Sequence, residues 1–334
     1  ADAGKLEAVV RDTVARSQRV KKSSVAKSEF CKIRAAALYR MSALPCDIFV
    51  KLSDSKFVKL FNAGDVLGDE EVRRIREKKV EYVYMSTVSA AQFLDRLFRE
   101  VASLKTIKSA GTSEQFEVTA GIQKSIHEFS ADLGMTPEVI RMVRLNVAIT
   151  MQAVRANPRL SSLFAKLSVD PENYIASHSI VLANIACGLA ALQEWSSETT
   201  YLKLTMAALL HDICLNGEKF AHYRTEHDMF ANMKPGETCS DEELKMYLNH
   251  PRLAAEMDAT IPEILPDVAT IIAQHHECPD GTGFPGRLDH RRIAPLSVVF
   301  IIAHDILRYH ELNGGFDAMD FMLAKQDVYG SGLF

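Results

Sequence analysis

The feature that most constrains this chain is the eleven-residue stretch 275–285, which reads HHECPDGTGFP. Two adjacent histidines close an apolar run from Val268 to Gln274, for which we predict a helix. A carboxylate and a loop with two glycines and two prolines follow directly. Imidazole combined with carboxylate suits a transition metal such as iron or manganese. Tandem histidines also cap helix C-termini, where the partial negative charge favours them, so the stretch alone leaves both interpretations open.

Other histidines and aspartates stand in further apolar segments of the C-terminal half, each predicted to be helical. They are His178, His211 with Asp212, His250, and Asp305. Helical bundles build two-metal sites from side chains that project inward from facing helices. The whole set therefore favours a metal centre inside a bundle over a series of unrelated helix caps.

Taken in this order, these residues resemble the motif set of the HD-GYP family, a branch of the HD-domain metal-dependent phosphohydrolases. The resemblance covers roughly residues 170 to 315. It implies a mainly α fold with a C-terminal HD-type helical bundle. It also implies a phosphodiesterase that hydrolyses cyclic di-GMP at two divalent metal ions, iron or manganese, with a bridging hydroxide as the nucleophile. The metal ligands that it implies are His178, His211, Asp212, His250, His275, His276 and Asp305.

Two neighbouring residues, His304 and Asp305, compete for the last ligand position. The family's Ile-Pro-Leu segment before this helix matches residues 293–296 with one additional residue, and this insertion aligns Asp305 with the family's ligand. Some family members bind a third metal through a glutamate one helical turn before the first histidine, where this chain has Tyr174. We therefore expect two metals and Asp305 as the last ligand.

Three positions depart from the family at its contacts to substrate. Leu215 stands where the family has a phosphate-contacting lysine, Phe284 replaces the tyrosine of Gly-Tyr-Pro, and Gly314 replaces a late arginine. Loss of a hydrogen bond to a charged group costs about 1.5–3 kcal/mol. We therefore expect weak or altered phosphodiesterase activity, with Arg308 and Lys219 as the nearest substrate-binding candidates to compensate.

Three carboxylates, one after the second apolar run and two within residues 275–285, are the predicted catalytic groups. Asp212 is placed to bridge the metals, and Glu277 and Asp280 are expected to orient ligand imidazoles through their second ring nitrogen. Gly281 and Gly283 permit backbone dihedral angles that other residues resist, and with Phe284 they form the predicted substrate-binding loop. Loop architecture alone explains these residues equally well. In the family this loop also mediates protein contacts.

The remaining chain divides into three further predicted parts, since 334 residues suit about two domains with connections. Residues 1–40 form a polar arm with helical periodicity, and residues 41–87 form a small α/β module with a β-hairpin, a helix and a further strand. Residues 88–168 form a helical connector, in which His127 is predicted to lie at the surface. Residues 169–334 form the metal-binding helical domain.

Composition excludes several classes of protein. The net charge of −4 gives no reason to expect a nucleic acid polymer as partner. No apolar run reaches 18 residues, and the polar start lacks the apolar region of a signal peptide. The six cysteines form no Cys-x-x-Cys pair, and several stand in apolar surroundings, where a free cysteine behaves as a small hydrophobic residue; this favours a reducing cytoplasm. We therefore expect a cytoplasmic protein whose ligand is a cyclic dinucleotide or a related phosphorylated compound.

Two alternatives to this phosphodiesterase stay open. The first is a catalytically degenerate signalling module that binds metal or nucleotide and acts through contacts with signalling proteins, as the three departures from the family favour. The second is a general HD phosphohydrolase that acts on mononucleotides.

Overall fold

The computed structural model describes residues 29–53, 56–103, 113–156, 169–170, 173–215, 219–234, 236, 238–258, 261 and 264–329. Most of the predicted N-terminal arm, residues 1–28, lies outside the described residues. No helix in the described part of the chain has both the length and the apolar character that a bilayer crossing requires.

In its described residues the N-terminal module contains a four-stranded antiparallel sheet, a short 3-10 helix (Ala35–Arg40) and one α-helix. Its strands are β1 (Phe30–Arg34), β2 (Ile48–Ser53), β3 (Lys56–Phe61) and β4 (Tyr82–Ser86). Their order in the sheet is β1-β4-β2-β3. The helix α1 (Asp69–Glu77) lies between β3 and β4 in the chain. The predicted hairpin, helix and last strand are all present.

The first strand corrects the predicted boundary at residue 41, which assigned residues 30–34 to a helical arm. Cys31 and Ile33 are buried, and their neighbours Lys32 and Arg34 are more exposed, which is the alternation of a strand with one buried face. β1 pairs with β4, about fifty residues away in the chain. A five-residue pattern with so distant a partner is too short to stand out from sequence periodicity.

The connector consists of α2 (Ala90–Ser103), α3 (Ser113–Leu133) and α4 (Pro137–Ala156). Helix α3 covers the open edge of β1. The backbone N–H of Lys32 donates to Asp132 Oδ2 at 2.9 Å, and that of Arg34 donates to Glu128 Oε2 at 3.2 Å. These contacts satisfy donors that an uncovered edge strand leaves unpaired, and they fix the sheet against the helical part of the chain.

The C-terminal bundle begins with α5 (Tyr174–Ala190), a helix buried along nearly its whole surface. The elements that follow are α6 (Glu198–Leu210), α7 (Glu226–Asn232), α8 (Asp241–Asp258), α9 (Pro266–Gln274), α10 (Pro295–Asn313), α11 (Ala318–Ala324) and α12 (Gln326–Tyr329). Helices α9 and α10 each start with proline, which suits a first helical position. Gly314 follows α10 with φ of 64° and ends it in the left-handed conformation.

Helix α8 begins at Asp241, ten residues before Pro251, although proline favours the first turn of a helix. Ser240 and Glu243 form a reciprocal cap: the Glu243 N–H donates to Ser240 Oγ at 3.1 Å, and the Ser240 N–H donates to Glu243 Oε2 at 2.8 Å. This capping box fixes the N-terminus, and Pro251 is accommodated inside the helix.

Two apolar clusters organise the interior. The larger extends from Cys31 and Ile33 of the sheet to Leu307 of α10, so the module and the bundle share one core. The smaller includes Leu215 and Phe284. The prediction of a mainly α chain with a C-terminal helical bundle and a small N-terminal α/β module is confirmed.

Candidate metal centre

Six histidines and one aspartate from five helical elements converge in the middle of the bundle. All are at most 4% exposed. Helix α5 supplies the first of them, the residues directly after α6 and α9 supply four, and α8 and α10 supply one each. They are His178, His211, Asp212, His250, His275, His276 and His304.

These side chains form two adjoining groups, in each of which the nitrogen and oxygen atoms lie within 4.8 Å of one another. The first group is His178, His211 and His304, and the second is Asp212, His250, His275 and His276. Asp212 contacts both. Its Oδ2 lies 3.2 Å from Nε2 of His211, and its Oδ1 lies 3.2 Å from Nε2 of His250. Asp212 therefore occupies a bridging position between the groups.

In four of the rings, the nitrogen that faces away from the site, Nδ1, is hydrogen-bonded to a backbone carbonyl. Nδ1 of His211, His250 and His275 donates to the carbonyl three residues earlier, at 2.9, 2.5 and 2.6 Å respectively. Nδ1 of His276 donates to the Arg224 carbonyl at 2.7 Å. Because a carbonyl can only accept, each Nδ1 carries the proton, and in the neutral ring Nε2 presents a lone pair.

The inner nitrogens of these four rings consequently face the site as acceptors. Nε2 of His250 and Nε2 of His275 are 3.1 Å apart, and both lie within 3.8 Å of Asp212 Oδ1. Nε2 of His178 and Nε2 of His304 are 3.0 Å apart. Within the described residues, His211 Nε2 is buried without a hydrogen-bond partner. Clustered lone pairs of this kind need a cation between them, so the donor set fits divalent ions that accept imidazole and carboxylate ligands.

The ionisation states of the group also suit metal binding. Burial by itself would raise the pKa of Asp212, but His211 and His250 hold that pKa well below its usual value. Burial lowers the pKa of His275, His276 and His304 well below the ordinary histidine value, and the neighbouring histidines lower it further. At neutral pH Asp212 is therefore a carboxylate and these three imidazoles are neutral, which are the forms that ligate metals.

The structure places His304, and not Asp305, in this cluster, which differs from the predicted choice between them. The Asp305 carboxylate pairs with Arg224 Nε at 3.0 Å and Lys325 Nζ at 3.1 Å, and it accepts from the Tyr329 hydroxyl at 2.7 Å. Adjacent residues of an α-helix point about 100° apart, so α10 can direct only one of the two side chains at the other histidines.

Arg224, from the segment between α6 and α7, is a neighbour of the site that the sequence did not reveal. It is 4% exposed. Its guanidinium lies 3.3 Å from His276 Nδ1, donates to the Glu277 carbonyl at 3.3 Å and pairs with Asp305. Burial would lower the pKa of Arg224, but Asp305 raises it, so the guanidinium stays charged. A single arginine in a polar segment carries no signal of such burial.

Glu311 is a second residue that the sequence analysis missed. His178 Nδ1 lies 3.5 Å from Glu311 Oε1, and the Tyr174 hydroxyl donates to Glu311 Oε2 at 2.9 Å. Burial would raise the pKa of Glu311, but the contact with His178 holds it below its usual value. A carboxylate on the outer nitrogen of a ligand imidazole fixes its orientation. The spacing of Glu311 seven residues after His304, on one face of α10, is the signal that identifies it.

Glu277 and Asp280 have contacts that differ from their predicted catalytic roles. Glu277 is 1% exposed, and its carboxylate accepts the N–H groups of Gly286 at 2.6 Å and Leu288 at 2.8 Å. Asp280 is exposed and accepts from the N–H and hydroxyl of Thr282 at 2.9 and 2.6 Å. Both side chains shape the loop, and neither carboxylate belongs to the groups that hold the inward nitrogens.

The predicted substrate-binding loop packs as a wall of the site. Gly283 has no room for a side chain, because a Cβ there would lie 2.3 Å from the Cys278 nitrogen. Gly281 adopts φ of 80°, which favours glycine. Phe284 is 2% exposed and stacks on the His276 ring, with centroids 4.4 Å apart. The phenyl ring therefore packs against the ring of His276, a member of the second group.

The two predicted compensating cations have other partners. Lys219 Nζ pairs with Glu243 at 2.8 Å, towards α8. Arg308 is 19% exposed and lies 3.6 Å from Asp228 and 3.7 Å from Glu311. Arg308 thus lies beside Glu311, the carboxylate that contacts His178, whereas Lys219 lies beside Glu243 of α8.

Comparison with known proteins identifies the same part of the chain. Residues 149–315 match the sequence model of the HD domain family. Among solved structures, the chain is similar to Bd1817, described as an HDG"Y"P protein from Bdellovibrio bacteriovorus, with a TM-score of 0.54 and 19% sequence identity. The match covers 89% of this chain and 93% of that chain, so the likeness in fold includes the N-terminal module. No curated protein sequence matches the chain.

Proposed function

Since this chain belongs to the HD domain family of metal-dependent phosphohydrolases, we propose that it hydrolyses a phosphodiester bond of a cyclic dinucleotide at a centre of two divalent metal ions. Cyclic di-GMP is the substrate that the sequence motifs favour. The neighbouring fold of Bd1817, itself described as an HDG"Y"P protein, is compatible with this assignment.

The observation that carries the proposal is the pair of adjoining groups of buried imidazole nitrogens that Asp212 joins. His178, His211 and His304 would hold one ion, and His250, His275 and His276 would hold the other. Asp212 directs one carboxylate oxygen at each group. Imidazole with a shared carboxylate suits iron or manganese. A pair of bound ions would supply Lewis acidity and would lower the pKa of a water molecule, as phosphodiester hydrolysis requires.

The chain's own residues prepare the site for this chemistry. Backbone carbonyls hold four rings with Nε2 inward, and Glu311 contacts the outer nitrogen of His178. Phe284 and Leu215, both 2% exposed, keep bulk water from the sides that they cover. Exclusion of water strengthens the attraction between charges at the site. Arg224 keeps Asp305 paired and away from the histidines.

The test combines metal content with turnover in two histidine variants. His211→Ala removes a nitrogen of the first group and is expected to lose bound metal and cyclic di-GMP hydrolysis together. His227→Ala is the matched control, because His227 is exposed and lies outside both groups. It is expected to retain both properties. Full metal content in His211→Ala would contradict the ligand assignment.

A second candidate function is a degenerate signalling module that binds metal and acts through protein contacts. Leu215 and Phe284 are buried apolar residues at positions where the family resemblance implies polar contacts to substrate. Gly314 ends α10 where the resemblance implies an arginine. Metal-loaded protein that hydrolyses neither cyclic dinucleotides nor mononucleotides would favour this candidate. Turnover of a mononucleotide alone would instead indicate a general phosphohydrolase.

A further inference from the structure

The C-terminal end of helix α6 leads directly into the metal centre, where His211 is the next residue. The last carbonyls of a helix have no donor inside the helix and need one from elsewhere. His211 supplies two donors, because its N–H bonds to the Ala207 carbonyl at 2.9 Å and its Nδ1 bonds to the Ala208 carbonyl at 2.9 Å. The Leu210 carbonyl accepts the N–H of Ile213 at 3.1 Å. These three carbonyls are therefore satisfied by the turn that follows the helix.

The remaining carbonyl of this last turn, that of Leu209, has its donor in a distant part of the chain. If the helix continued, the N–H of Ile213 would donate to it, but Ile213 donates to Leu210 instead. The side chain of Gln123, on the connector helix α3, donates its Nε2 to the Leu209 carbonyl. Gln123 is thus a C-terminal cap of α6 that comes from 86 residues earlier in the chain.

The amide group of Gln123 is held in one orientation. A carbonyl can only accept, so the NH2 group of Gln123 faces Leu209 and its Oε1 faces away. Asn146 of α4 donates its Nδ2 to that oxygen at 2.9 Å. Gln123 and Asn146 are 2% and 0% exposed, and a buried polar group without a partner is costly. The two hydrogen bonds therefore fix the Gln123 side chain against the end of α6.

The position of this helix end matters because two residues of the metal centre follow Leu209 within three positions, His211 and Asp212. The Asp212 carboxylate lies 3.2 Å from Nε2 of His211 and 3.2 Å from Nε2 of His250, so it contacts both groups. A binding site needs its residues held within about 0.5 Å of their working geometry by supporting hydrogen bonds. Without the cap the end of α6 would fray, and both residues would move with it.

We infer that Gln123 is a positioning residue of the metal centre, which fixes the end of α6 so that His211 and Asp212 face the other ligands. The inference rests on the proposed function, because it takes these two residues to bind metal. It gives the connector a part in the site. Helix α3 also covers the edge of β1 through Glu128 and Asp132, so one helix contacts both the sheet and the end of α6.

The test compares two substitutions on α3 in the full chain. Gln123→Met keeps the length of the side chain and removes its hydrogen bonds. Thr119→Val is the matched control, because the buried Thr119 hydroxyl donates, within the described residues, to carbonyls of its own helix, those of Gln115 at 3.0 Å and Phe116 at 2.8 Å. Both substitutions remove buried hydrogen bonds, and only Gln123→Met removes one that reaches α6.

Two measurements report on the position of the ligands. Manganese affinity is titrated on chelator-treated protein, and amide hydrogen exchange of residues 207–215 is followed in metal-free protein. Gln123→Met should bind manganese about 10–100-fold more weakly than the wild type and should exchange faster over these residues. Thr119→Val should match the wild type in both measurements, even where its melting temperature falls. Equal losses of affinity in the two variants would show a general effect of stability and would overturn the inference.

A second variant guards against a folding defect in Gln123→Met. Asn146→Ala removes the donor to Gln123 Oε1 and leaves the cap itself in place. It should therefore shift both measurements in the same direction by a smaller factor. Wild-type manganese affinity in the folded variants, or unchanged exchange over residues 207–215, would overturn the inference.

Turnover separates the inference from the proposed function. A wild type that binds manganese but hydrolyses no cyclic dinucleotide would contradict the proposed function, whereas weaker manganese binding in Gln123→Met would still support the inference. A wild type that hydrolyses cyclic di-GMP, with variants of unchanged affinity and exchange, would overturn the inference alone. A wild type that takes up no manganese would overturn both.

Discussion

The neighbouring residues His304 and Asp305 of α10 provide a sharp test of the metal centre. We predict that His304→Ala loses metal and that Asp305→Asn retains it. Nε2 of His304 lies 3.0 Å from Nε2 of His178, inside the first group. The Asp305 carboxylate instead pairs with Arg224 at 3.0 Å and Lys325 at 3.1 Å.

The two substitutions should differ in the size and kind of their effect. Removal of groups that merely orient a ligand weakens metal binding about 10–100-fold, so removal of His304 itself should weaken binding by at least about 100-fold. Asp305→Asn leaves Arg224, which is 4% exposed, without its buried counter-charge. Breaking a buried ion pair costs about 3–5 kcal/mol. For a chain of 334 residues, in which 1 kcal/mol shifts the melting temperature by about 1.4 °C, the melting temperature should therefore fall by roughly 4–7 °C.

The assay measures metal per folded chain by elemental analysis after gel filtration, together with the melting temperature of each variant. Arg224→Met/Asp305→Leu serves as a control that removes both charges, and it should recover part of the stability lost in Asp305→Asn. Loss of metal in Asp305→Asn, combined with full metal content in His304→Ala, would refute the geometry of α10 described above.

Further predictions concern the loop and the histidines. Glu277→Ala leaves two N–H groups of the loop unpaired, at about 1–3 kcal/mol each, and should lower the denaturant midpoint; an unchanged midpoint would contradict its structural role. Gly283→Ala should destabilise the fold, because its Cβ would lie 2.3 Å from the Cys278 nitrogen, whereas Thr282→Ala at the exposed neighbouring position should melt close to the wild type. Chelator-treated protein should lose stability as the pH falls below 6.5, because the unfolded chain then binds protons at histidines that stay neutral in the folded chain. The free energy of unfolding should fall by up to about 1.4 kcal/mol per pH unit for each histidine whose folded pKa is lowered. Equal unfolding free energies at pH 7.5 and 5.5 would exclude this linkage, which concerns His275, His276 and His304.

The sequence predicted most of the site because its elements are local. Apolar runs that end in His211-Asp212 and His275-His276 mark helix ends in any context, and the structure brings together six of the seven residues that the family resemblance implied. The seventh position could not be predicted in the same way. Asp305 faces a cation because Arg224, some eighty residues earlier in the chain, lies beside it in the fold, and His304 then faces the histidines.

Other features were out of reach because they depend on contacts distant in the chain. Strand β1 is defined by pairing with β4 and by the carboxylates of α3 that cover its edge. His127 was predicted to lie at the surface, but its Nε2 is buried. A single histidine in an amphipathic helix gives no indication of which face meets the sheet.

Metal content per chain, measured by elemental analysis on protein purified without chelator, tests the central claim most directly. The two groups of inward-facing nitrogens predict about two iron or manganese ions per chain. Protein with almost no bound metal, which cannot be restored by added iron or manganese, would contradict the proposed dinuclear centre.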